Sequence, residues 1–129
     1  MNIVHPDDPK FWDPNNFLPM LSVRSKSGHI VPFDLWHPQR ILAAGVMRAY
    51  KERKWICHVK PRQEGSSTFF TALAYQHTAY RPGCRTAILA HKKDTSSYLA
   101  SMAVRFHKHT PLQIKQKKTP GLKRTLEFP

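Results

Sequence analysis

The chain predicts an α/β fold with a mainly parallel sheet flanked by helices. Apolar residues recur at helical intervals in residues 34–51, again from Phe69 to His77, and again after Asp94. Between these stretches lie two short apolar runs of strand length, Trp55-Ile56-Cys57-His58-Val59 and Thr86-Ala87-Ile88-Leu89-Ala90. Strands separated by helices favour parallel neighbours, because a parallel pair needs a helical crossover.

The elements follow in order. Pro6, Pro9, Pro14 and Pro19, with Asp7, Asp8, Asn15 and Asn16, break regular structure early. Residues 1–30 are therefore expected to be an extended N-terminal arm, anchored by Phe11, Trp12 and Phe17. The helix in 34–51 would bury Ile41, Leu42, Gly45, Val46 and Tyr50 on one side, with Pro38 in its first turn. After the first strand comes a polar stretch, Lys60 to Thr68, and then a helix ending by Arg81-Pro82-Gly83. Asp94 suits the N-cap of a last helix reaching about Lys108, and Pro111 stops it. Leu112 with Ile114, and Leu126 with Phe128 after the Thr119-Pro120-Gly121 turn, alternate as short closing strands would.

Charge is unevenly spread. Residues 1–50 hold five basic and four acidic side chains, whereas residues 51–129 hold sixteen and four. Such an excess attracts polyanions, and the affinity it gives falls with salt. A solvated basic surface explains composition alone equally well. Cys57 and Cys84 sit far apart in apolar runs and are expected to be buried free thiols. The histidines and cysteines lack zinc-site spacing, so a metal site built from protein ligands alone is not expected. No segment has the length of apolar sequence that a membrane helix needs.

In an open α/β sheet a ligand sits beyond the carboxyl ends of strands, which is where the Lys60–Thr68 loop falls. A phosphate-binding loop needs converging backbone N–H groups, a glycine for close approach, a cation for the phosphates and a hydroxyl for Mg²⁺. Lys60-Pro61-Arg62-Gln63-Glu64-Gly65-Ser66-Ser67-Thr68 offers all four. Ser66 stands where the standard GxxxxGK[ST] loop has its lysine, and Lys60 stands at the first glycine of that pattern. The arrangement resembles the variant Walker A loop of bacteriophage terminase large subunits, in which the lysine moves to the start and an R-Q-x-G-x-[ST] core follows. The resemblance implies a P-loop NTPase-type sheet in residues 31–129. It implies that Lys60 and Arg62 act catalytically on the phosphates, and that Gln63, Gly65, Ser66, Ser67 and Thr68 bind ATP. Ser67 would coordinate the Mg²⁺ that accompanies it. Arg62 also fits a solvated loop cation, and Glu64 must point outward or pair with Arg62 or Lys60.

Two flanking segments extend the likeness. Phe33 to Arg40 resembles the adenine-recognition segment of terminases and helicase-like ATPases, where Trp36 or Phe33 would pack near the base and Gln39 would bond its edge. Trp36 fits core packing equally well. Ala87 to Thr95 resembles the strand that leads into the next helix, and Leu126-Glu127-Phe128-Pro129 resembles the opening of a further strand.

The family implies double-stranded DNA as substrate, a small terminase subunit and portal protein as partners, a ring oligomer, and action in the host cytoplasm at the procapsid. A later strand ending in Asp-Glu and a nuclease domain belong to that family and are not among these residues. The chain is thus expected to be the N-terminal portion of the ATPase domain and inactive alone. Lys108, Lys115, Lys117, Lys118, Lys123 and Arg124 would track a DNA backbone or form a solvated face. Two other functions share part of the pattern: a helicase-like DNA translocase, and a non-enzymatic basic nucleic-acid-binding module.

Overall fold

A computed structural model describes residues 2–60, 62, 65–118 and 128. Helices dominate them, and the expected parallel sheet is replaced by a small antiparallel hairpin.

The first twenty residues fold into tight helical turns. Asp8 accepts a bond from the amide of Lys10 and opens a 3-10 turn, Pro9–Trp12. Asp13 caps α1 (Pro14–Phe17) in the same way, and a second 3-10 turn, Leu18–Met20, follows. Each turn begins at or next to a proline, whose fixed φ suits a first helical position. The segment is therefore anchored as its aromatics predict, but wound rather than extended. Phe11, Phe17 and Leu18 are fully buried.

β1 (Ser22–Arg24) and β2 (Ile30–Pro32) pair antiparallel, with Val23 opposite Val31. The reversal between them is held by Ser25, Ser27 and His29 side chains bonded to one another, and by Gly28 at a φ of 87°. Such a local hairpin closes at little entropic cost.

Three longer helices follow: α2 (His37–Glu52), α3 (Ser66–Tyr80) and α4 (Lys93–His109). Their positions agree with the periodicity, but the buried face of α2 is narrower than expected. Leu42, Ala43 and Gln39 are buried, whereas Ile41 and Tyr50 are exposed. Asp94 lies inside the first turn of α4, where its charge suits the helix dipole, and Lys92 occupies the cap. α3 is the central element. It packs against both α2 and α4, and buries Phe69, Ala72, Tyr75 and Ala79. Phe106 of α4 stacks on Phe33 with rings 2° from parallel and 6.3 Å apart.

The P-loop NTPase-type parallel sheet expected from the sequence is contradicted by the two runs that should have built it. Residues 54–60 and 84–90 carry no strand pairing, and Trp55, Val59 and Leu89 are almost fully exposed. Strand-forming sequence makes a strand only where another strand completes its hydrogen bonds, and no described strand pairs with these two. The second run is hydrogen-bonded to α3 through Thr86, whose hydroxyl meets that of Thr78 and the carbonyl of Ala74. The thiol expectation is corrected for the same reason: Cys57 is exposed and Cys84 half-buried, though both are free. Residues 112–114 form a turn, not a strand, with Ile114 buried. The Thr119–Gly121 turn and Leu126 lie outside the described residues. No helix among the described residues is long and apolar enough to cross a membrane.

Candidate phosphate-loop site

Gly65 caps the N-terminus of α3 at a φ of 71°, in the left-handed region that glycine reaches without steric cost. Its carbonyl accepts the amide of Phe69 at 3.0 Å and so starts the helical ladder. No side chain caps the first turn. Amides at such a helix start, together with the helix dipole, favour an anion.

The loop is held by α2. Gln39 occupies the third position of that helix, and its Oε1 accepts the Trp36 backbone N–H at 3.2 Å. Its Nε2 donates to the Gly65 carbonyl at 3.0 Å, across 26 residues of sequence. Gln39 is only 4% exposed, so these bonds form in a water-poor setting where leaving a polar group unpaired is costly. The approach is close: a Cβ added at Gly65 would stand 2.6 Å from Gln39 Nε2 and 3.3 Å from the indole Nε1 of Trp36. Arg40 anchors the entry to α2 by donating from Nε to the Leu35 carbonyl at 2.9 Å.

The structure thus brings together residues predicted from two separate motifs, Trp36 and Gln39 from one and Gly65 from the other. It gives Gln39 a different occupation from the one the resemblance implies, since both ends of its amide are already bonded to main chain. Trp36 is half exposed beside the loop. Ser67 is exposed at the helix start and Thr68 half-buried, while Ser66 is buried with its side chain turned from solvent. A long cation at position 66 would not fit there without rearrangement. Lys60 and Arg62 are exposed and form no ion pair with a described residue. Gln63 and Glu64 lie outside the described residues. No group of three metal-ligating side chains occurs among the described residues.

Sequence reasoning missed a second cluster at the far end of α3. The Arg81 guanidinium lies 4.6 Å from the Trp12 ring centre and 5.2 Å from that of Tyr50, and bonds the Tyr50 hydroxyl at 2.7 Å. The ring of Trp12 also meets His77 at 5.6 Å. Burial, and then the charge of Arg81, hold the His77 imidazole below its ordinary pKa. At the end of α4, burial and the charges of Lys115 and Lys118 lower His107 in the same direction. Tyr75 is raised by burial and bonds Thr110 at 2.9 Å. A tryptophan, a tyrosine, a histidine and an arginine spread from Trp12 to Arg81 leave no local sequence signal.

Comparison with protein families, with curated proteins and with solved structures gives no match to this chain.

Proposed function

We propose that this chain binds the phosphates of Mg²⁺–ATP at the loop preceding α3, as the ATP-binding portion of a DNA-packaging motor of the terminase large-subunit kind. The observation that supports this reading is the bond from Gln39 to the Gly65 carbonyl, which couples the two segments that resemble adenine recognition and phosphate binding. In this reading Lys60 and Arg62 supply positive charge, the start of α3 supplies amides, and Ser67 supplies the hydroxyl for Mg²⁺. Trp36, half exposed at the loop, offers an aromatic face to the base. Gln39 acts by holding Gly65, not by reading the base edge. The described residues hold no acidic pair to position water, so binding without turnover is the expected behaviour.

Calorimetric titration with Mg²⁺–ATP tests it. Binding that Lys60→Ala abolishes and Ser66→Ala leaves intact is expected. No heat in the wild-type chain, with DNA bound through charge alone, would instead favour the non-enzymatic basic module.

A further inference from the structure

Away from the phosphate loop, the most exposed large apolar side chain among the described residues is Trp55, at 101%. It stands on the unpaired segment between α2 and α3, every residue of which from Arg53 to Lys60 is exposed. A lone exposed indole would mean little, but Ile56 and Val59 on the same segment are exposed with it, so apolar surface is grouped here. The surroundings are cationic: Lys51, Arg53, Lys54, Lys60 and Arg62 share this stretch with a single described acid, Glu52. That acid is engaged, by Lys54 at 2.7 Å and Arg48 at 3.5 Å. Beside the indole runs an open groove of about 310 Å³, with Leu42, Ala49 and Ile56 among its apolar lining and Arg48 and Lys54 among its charged lining.

We infer that Trp55 and this groove form a stacking site for an unpaired base of single-stranded nucleic acid, DNA or RNA. A flat apolar ring presented on an extended segment, interleaved with cations, matches what a single strand displays: π-faces joined by phosphates. A duplex hides those faces in its stack, so its binding would not use the indole. A second copy of this chain is the poorer occupant, because both surfaces would bring the same positive charge. The inference does not rest on nucleotide binding at Gly65, since it shares with that loop only the cations Lys60 and Arg62, and its test turns on Trp55.

The test uses the full chain, titrated with oligo(dT), oligo(U), a duplex of equal length, and heparin as a polyanion without bases. Quenching of indole emission by both oligonucleotides is expected. Trp55→Ala should weaken them by about fivefold or more, Trp55→Phe should restore most of the affinity, and heparin binding should not change. Because Trp55 is fully exposed, far-ultraviolet dichroism of both variants should match the wild type. Equal oligonucleotide affinity in Trp55→Ala would overturn the inference. So would an equal loss of heparin binding, a duplex that depended on Trp55 as strongly, or sedimentation showing a dimer that Trp55→Ala dissolves. Loss of Mg²⁺–ATP binding with oligonucleotide binding intact would count against the phosphate loop alone.

Discussion

Replacing Gly65 with alanine should destabilise the protein by more than its backbone conformation alone explains. A left-handed φ of 71° costs a non-glycine residue about 1–2 kcal/mol. The new methyl group would also stand 2.6 Å from Gln39 Nε2, forcing that side chain away. Gln39 would then lose its bonds to Gly65 and to the Trp36 amide, at about 1 kcal/mol each for typical hydrogen bonds. The total is roughly 3–4 kcal/mol, or about 11–15 °C in Tm at this chain length. Gly83 provides the control, because its φ of 70° is nearly identical and nothing lies within 4 Å of its added Cβ. Gly83→Ala should show only the conformational cost. Urea unfolding of the two single variants, and of Gly65→Ala combined with Gln39→Ala, separates the contributions. In the Gln39→Ala background the 2.6 Å contact is gone and the Trp36 indole at 3.3 Å remains, so the second substitution should cost clearly less than it does in the wild type. Strict additivity of Gly65→Ala and Gln39→Ala would refute the latch between α2 and the loop.

Gln76 is fully buried and donates to the Phe11 carbonyl at 2.7 Å, so Gln76→Leu should cost about 1–3 kcal/mol in chemical denaturation and selectively loosen the N-terminal turns in hydrogen exchange. Phe106→Ala removes a ring stacked on Phe33 and should cost about 3–5 kcal/mol by the same measurement. His77 and His107 have folded pKa values below their unfolded ones, so the unfolded state takes up protons first as pH falls. Their contribution is intact above the unfolded value of about 6.5 and is lost on descending through the interval down to the folded values. Tm measured from pH 7.5 to 5 should fall, and more gently in His77→Gln; an unchanged slope would remove His77 from the account.

The helices were legible because their signals are local. Phe69, Leu73 and His77 repeat at the helical interval, and Pro38 and Pro111 mark the start of α2 and the stop of α4. The sheet was misread because an apolar run such as Trp55–Val59 states that a segment can pair, not with what. No described strand pairs with it, and a run's own pattern carries no information on whether one will. The true strands escaped notice for the opposite reason: Ser22–Arg24 and Ile30–Pro32 are three residues each, too short to show a period. At the candidate site, Gly65, Gln39 and Trp36 were found by motif, and their proximity is new information that spacing did not contain. The Arg81 cluster needed three-dimensional closure to exist at all.

The bond from Gln76 to Phe11 spans 65 positions, and that separation has a consequence for synthesis on the ribosome. The turns holding Phe11, Phe17 and Leu18 emerge before α3, which supplies Tyr80 and Gln76 to cover them. At ordinary elongation rates of roughly 5–20 residues per second, these aromatics wait several seconds in water before their partners leave the tunnel. A nascent chain halted between Phe17 and Tyr80 would therefore present a hydrophobic peptide to chaperones. Release of that peptide would coincide with the emergence of Gln76 and Tyr80, making the docking of the first twenty residues a late step of folding instead of an early one.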